Sequence, residues 1–411
     1  MNIYPRASAT AKGLILLYTS TLLAGMWAMI LPTIPVLAMS FQISPGTAAQ
    51  IVTALAVGRF VGLPVSGVIL DRLGTRTALI AGPAAACIAA LLGAAMPWFS
   101  LMLFFILLIG AADSVWVIAR EVAGIDLARQ DQRGRILSGF HGVNNIGLAL
   151  GPVVGGVLTE SIGFRGVFFV YGACAGLAVA LGFPTKDSKP VHKEAPASAT
   201  VKGWSLAALS ARLRGLKEIF HQIPPDLRST YVVLVLATLT SFMHRVTTQS
   251  MLPLYGSAQL GLGPKEIGLL FSISGFFVFL MILPAGFVID KIGRKWATVP
   301  STGIPAIAFL LIPFVESFFQ LAVLLAFLGV ANGLSLGSLA TSTFDVVPPS
   351  ARGRLQAARR TVAEIGAVGA PLLGGILADK FNPAVPFLAY APLLVLSALL
   401  LAWLGRETLE R

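Results

Sequence analysis

The decapeptide Gly67-Val-Ile-Leu-Asp71-Arg72-Leu-Gly74-Thr75-Arg76 returns 219 positions later as Gly286-Phe-Val-Ile-Asp290-Lys291-Ile-Gly293-Arg294-Lys295. The same shift carries Asp126 onto Asp345 and Arg133-Gly134-Arg135 onto Arg352-Gly353-Arg354. It also carries Gly147, Pro152, Gly155 and Gly156 onto Gly366, Pro371, Gly374 and Gly375. One ungapped offset held over about ninety residues marks an internal duplication. In both copies an apolar run ends at an acid followed by basic residues, the pattern of a membrane helix reaching a charged loop.

Composition agrees. Of 411 residues, 56% are hydrophobic and 12% charged, about half the charge of an average soluble domain. Such a chain lacks the polar surface of a soluble enzyme and is too apolar for a disordered one. Apolar runs predict an all-α integral membrane protein of twelve helices in two pseudo-symmetric six-helix bundles. The spans fall near 14–38, 47–70, 77–97, 100–121, 136–159, 164–183, 229–255, 265–289, 296–315, 319–343, 355–378 and 384–404. The predicted domains are therefore 1–183, a linker 184–228, and 229–411. Within the linker, 186–200 is rich in Pro, Ala, Ser and Lys. Trp204, Leu209, Leu213, Leu216 and Phe220 then recur at the spacing of an interfacial amphipathic helix.

Charge fixes the expected orientation. With the N-terminus in the cytoplasm, 24 of the 30 Lys and Arg lie in cytoplasmic segments and only Arg165, Lys265 and Lys380 in external ones. That asymmetry predicts a plasma (inner) membrane protein with both termini cytoplasmic. It also assigns the net charge of +12 to topology and anionic lipid rather than to nucleic acid. Cys87 and Cys174 both lie in apolar runs, which offers no disulfide framework or metal cluster. No cleavable signal peptide is expected, because the first apolar run is too long for one.

On these residues the sequence resembles the major facilitator superfamily over nearly its whole length. The loop after span two is similar to that family's G-x-x-x-D-R-x-G-R-R/K signature, with Thr75 in place of one basic residue. Gly147-x-x-x-Gly151-Pro152-x-x-Gly155-Gly156 in span five resembles the motif of its proton-coupled exporters, with Ser138 at the upstream glycine position. Ile106 stands where such exporters carry a span-four arginine. The resemblance implies alternating access, with Gly67, Asp71, Arg72, Gly74, Arg76 and Asp126 forming a cytoplasmic gate. Gly286, Asp290, Lys291, Gly293, Arg294 and Lys295 repeat it. Asp71 would face the N-terminus of span eleven, and Asp126 would pair with Arg72 or Arg76. The alternative is that these charges serve only topology and turn formation. The resemblance also implies that the Gly147, Gly151, Gly155 face meets span eight, with Pro152 bending the helix. A purely structural packing role is the other reading.

Ionisable residues inside spans are costly and point to function. Asp113 and Glu364 are the only acids more than about two turns from a predicted helix end. The offset pairs Asp113 with Asn332 and Glu364 with Asn145, so each half offers one acid and one amide at matching depth. Both acids are candidate proton carriers, since a buried carboxylate takes up a proton more readily. Alternatively Arg59, at similar depth, forms an inter-bundle salt bridge with Glu364 and leaves Asp113 to titrate alone. Arg120 and Glu121 would snorkel to the headgroups. Arg245, with His244 and Gln249, is a candidate for an anionic or zwitterionic substrate group or for pairing within its own bundle. Trp27 and Met26 are candidates for an apolar pocket wall.

The expected function is proton-coupled export of small, mainly apolar compounds; the alternative is an importer or uniporter of an organic anion. The expected partners are a small-molecule substrate, protons and lipid, and the protein is expected to be a monomer. No HExxH, Cys/His ligand set, Ser/His/Asp constellation or phosphate loop occurs, so no enzyme, metal or cofactor is expected.

Overall fold

The computed structural model describes residues 4–128, 133–185, 220–348 and 351–409. The predicted amphipathic linker helix lies outside these apart from Phe220. Helix α1 (Tyr4–Gly25) runs through a tighter 3-10 stretch, Met26–Thr33, into α2 (Ile34–Ser40). The chain continues as α3 (Pro45–Ala95), α4 (Phe99–Leu127) and α5 (Arg133–Gly182). The second half holds α6 (Arg228–Leu260), α7 (Pro264–Phe287), α8 (Arg294–Leu311), α9 (Phe318–Val346), α10 (Arg352–Lys380) and α11 (Val385–Leu404).

Ten stretches among the described residues are long and apolar enough to cross a membrane. Two of them hold two expected spans each. The 51 residues of α3 would extend ~77 Å if straight, against a hydrocarbon core of ~30 Å. Gly74 breaks the helix there, at φ 84° and ψ 168°. Gly163 does the same in α5, at φ 74° and ψ 172°. These backbone angles suit glycine and strain any residue with a Cβ. The expected spans two and three, and five and six, thus run on as single stretches turned at a glycine rather than being parted by separate loops.

The outer surface is apolar, with Leu283 and Trp403 more than four-fifths exposed, as lipid contact requires. The core divides unequally. Toward the end away from the termini, one buried cluster joins both halves, including Met29, Ile34 and Ile51 with Met251, Tyr255 and Phe387. Toward the terminus-bearing end there are separate clusters. One holds Leu17, Leu79 and Phe140 of the first half, the other Tyr231, Leu339 and Leu355 of the second. Glycines follow the same division. A Cβ on Gly46 or Gly375 would strike the opposing backbone, whereas Gly67 and Gly286 face open space. The halves are closed at one end and parted at the other.

Candidate functional site

The parted halves enclose two adjoining cavities. Their shape starts from small residues: a Cβ on Gly58 would strike the Leu107 carbonyl, and one on Gly110 the Leu55 carbonyl. That close approach of α3 and α4 brings Arg59 to Asp113, Nε to Oδ2, at 2.9 Å. Ser114 Oγ donates to the Arg59 carbonyl at 2.7 Å, and the guanidinium lies 4.4 Å above the Trp27 ring. The Asp113 side chain keeps 10% of its exposure and that of Arg59 34%. An unpaired ion at that depth costs several kcal/mol, so each charge is tolerated because of the other.

Glu364 has a different partner. Arg360, one turn earlier on α10, donates Nε to Glu364 Oε1 at 2.9 Å and stacks at 5.2 Å over Phe242. The Arg59–Glu364 bridge expected as one alternative is therefore not formed. Each acid is held by an arginine of its own half. Arg59, Asp113, Arg245, Gln249, Arg360 and Glu364 together line a cavity of about 340 Å³.

Arg245 and Gln249 also line a second cavity of about 200 Å³, with Trp27, Asn145, Asn332 and apolar Phe271. The two acids and two amides related by the 219-residue shift thus separate, acids in one cavity and amides in the other. Asn332 Oδ1 accepts from Arg245 Nε at 2.8 Å and faces His244 Nε2 at 3.1 Å. Ser335 Oγ accepts from Arg245 as well. Just beyond, α9 loses helical geometry at Leu336 and Gly337, and Leu336 lines the cavity. Non-helical backbone at membrane depth is tolerated where it borders a cavity. Among the described residues no carboxylate forms an ion pair with Arg245.

Several expectations need correction. Met26 lines neither cavity and packs against the core. His244 is buried behind Asn332 rather than on the wall. Arg120 does not snorkel: it is 3% exposed, donates to the Ser20 carbonyl at 3.2 Å and stacks on Trp116. Arg360, which the sequence did not single out, also belongs to the cavity wall. The signal for it was Glu364 four residues on, the spacing of a helical ion pair.

The signature loops differ between the halves. In the second, Arg294 bonds Asp345 at 3.0 Å and Asp290 at 3.1 Å. The first half has Thr75 in the place of Arg294, and no ion pair joins Asp71, Arg72, Arg76 and Asp126 among the described residues. Arg76 instead donates to the Phe183 carbonyl at 2.9 Å. Asp71 is exposed, and no hydrogen bond ties it to the described start of α10. The expected Asp126 pairing and the Asp71–span eleven contact are therefore unmade in this conformation. Lys291 and Lys295 enter no ion pair among the described residues either, although the Lys295 N–H donates to Glu407 at 3.1 Å.

The glycine stripe of span five also faces elsewhere than expected. A Cβ on Gly147 would meet Gly25 Cα at 2.8 Å, one on Gly151 would meet Met29 N at 3.2 Å, and one on Gly155 would strike the Met29 carbonyl. That face packs on span one of the same half. The contact with span eight is made by the adjacent face: Ala149 against Gly275, the Pro152 carbonyl against Gly268, and Gly156 against Pro264 and Lys265.

Comparison with known proteins fits this architecture. A family model described as Major Facilitator Superfamily matches residues 16–263 and 234–410. The chain is 23% identical to the multidrug resistance protein MdtG of Proteus mirabilis over all of both chains. It is 26% identical to the multi-drug resistance efflux pump PmrA homolog of Lactococcus lactis, over 62% of this chain and 60% of that one. Among solved structures it superposes on the nucleoside transporter NupG with a TM-score of 0.75 at 14% identity, over 97% of this chain and 100% of that one. A peptide transporter POT gives 0.78 at 12% identity, over 98% of each. At such identities these structures speak for the fold alone.

Proposed function

The chain belongs to the Major Facilitator Superfamily and is a multi-pass membrane transporter rather than an enzyme, and from that premise we propose that it exports small, mainly apolar compounds in exchange for protons. Counting α3 and α5 as two spans each, it crosses the inner membrane twelve times with both termini in the cytoplasm. It works as a monomer by alternating access. The observation that carries this reading is the cavity between the halves into which Asp113 and Glu364 both open beside arginines. A proton arriving on Asp113 neutralises it and frees Arg59, so protonation and cavity charge are linked. The efflux named for the Lactococcus relative, with the multidrug resistance named for the Proteus one, supports the outward direction. The gate and glycine residues above are read as moving and packing elements of that cycle.

A second reading, transport of an organic anion, is favoured by one observation: Arg245 borders both cavities and, among the described residues, forms no ion pair with a carboxylate. One experiment separates them. Everted vesicles are offered lipophilic cations, neutral compounds and carboxylates of matched size. Apolar compounds should accumulate and a protonophore should abolish the accumulation. Accumulation that survives the protonophore overturns the coupling, and exclusive uptake of carboxylates overturns the main reading in favour of the second.

A further inference from the structure

At the closed end, two contacts between the halves are images of one another under the 219-residue shift. Helix α3 begins at Pro45 and α7 at Pro264, positions related by that shift. Proline at the first helical position carries no N–H, so the next residue supplies the first exposed donor. In α3 that donor, Gly46 N, bonds Asp379 Oδ1 at 2.7 Å. In α7 the equivalent, Lys265 N, bonds Glu160 Oε1 at 3.0 Å. Asp379 and Glu160 are themselves related by the shift. Each acid belongs to the half opposite the helix it caps.

The shift also relates the glycines one turn before the acids, Gly375 and Gly156. A Cβ on Gly375 would stand 2.8 Å from the Gly46 carbonyl, and one on Gly156 2.8 Å from Lys265 Cα. Both helix starts are thus pressed against a glycine and held by the carboxylate four residues later. Packing alone accounts for the glycines. It does not account for a carboxylate at both symmetric places, each accepting from a helix N-terminus of the other half, where negative charge is favoured. Asp379 Oδ2 also accepts from Ser44 Oγ at 2.7 Å.

We propose that Asp379 with Gly46, and Glu160 with Lys265, form a two-fold extracellular latch that holds the outer end shut and must release both contacts for the cavity to open outward. The contacts are few, and both carboxylates, Asp379 and Glu160, are exposed, so they break without burying an unpaired charge. The proposal rests on the orientation and alternating access argued above, but not on the cargo or its coupling.

The test reads accessibility rather than transport. In a protein whose Cys87 and Cys174 are replaced by serine, Ala28→Cys places a thiol on the wall of the 200 Å³ cavity, where Ala28 is 2% exposed. An impermeant maleimide is applied from outside to cells. Asp379→Ala and Glu160→Ala should each speed labelling roughly threefold to tenfold, the range for one modest hydrogen bond, and compound in the double variant. A second variant guards against misfolding: Ser44→Cys with Asp379→Cys should form a disulfide that stops transport until it is reduced. Unchanged labelling in the double alanine variant, or full transport by the cross-linked protein, overturns the latch.

Discussion

A carboxylate in an apolar span is visible in sequence because nothing around it resembles it. Asp113 and Glu364 were found that way, and both open into the central cavity. Their partners were not legible, because depth along a helix does not say which neighbour comes closest. Gly58 and Gly110 decided that Arg59 meets Asp113. Asp113→Asn should leave the half-buried Arg59 without its counter-ion and destabilise the protein by about 1–2 kcal/mol, less than a fully buried pair because Arg59 keeps a third of its exposure. Thermal unfolding in detergent measures this. Adding Arg59→Gln should recover part of the stability and none of the proton-coupled transport. Full coupled transport by either variant would remove Asp113 from the mechanism. A second residue was not legible at all. Glu407 follows the last span, and its carboxylate accepts from Arg294 N at 2.8 Å and Lys295 N at 3.1 Å, capping α8. Partial burial pushes its pKa up, but backbone donors from Leu409, Lys295, Arg294 and Thr408 outweigh it and hold the pKa below the ordinary 4.5. A depressed carboxylate stabilises the fold above that ordinary value and loses its contribution as pH falls through the native value. The Glu407→Gln variant should therefore melt lower than the parent at pH 7 by the worth of an exposed cap, about 0.5–1 kcal/mol. The two should converge under acid. A gap that persists or widens in acid contradicts the cap.

At the scale of elements, helix existence followed from apolar length, and the repeat placed the signature loops. The breaks were harder to see. Glycine is so common in this chain that Gly74 and Gly163, which turn the chain, do not stand out from those that only pack. The break at Leu336 and Gly337 interrupts an apolar run without any polar mark. Periodicity marked Gly147, Gly151 and Gly155 as one face, yet it cannot name the helix lying on that face. Span one fills it because the 3-10 stretch at Met26–Thr33 brings the Met29 backbone close. This gives a paired prediction. Gly155→Ala drives a Cβ into the Met29 carbonyl and should cost about 1–3 kcal/mol. Gly67→Ala, in the signature loop, meets open space and should leave melting unchanged within about 0.5 kcal/mol. Equal losses in the two variants would contradict the packing described.

For the whole molecule, the 219-residue shift was enough to expect two like halves around one pocket. The direction in which the pocket opens was not in the sequence, because both conformations use the same residues. The structure shows one of them, with a shared core at the end away from the termini and separate cores at the other. Thr75, in the place of Arg294, explains why the first signature loop lacks the ion pairs of the second. The central claim is that one cavity between the halves is exposed in turn to each side of the membrane. Gln249 tests it most directly, since it lines both cavities. With Gln249→Cys as the single thiol, an impermeant maleimide should react in everted vesicles and, more slowly, in right-side-out vesicles. Reaction from one face alone, with transport intact, would contradict alternating access through this cavity.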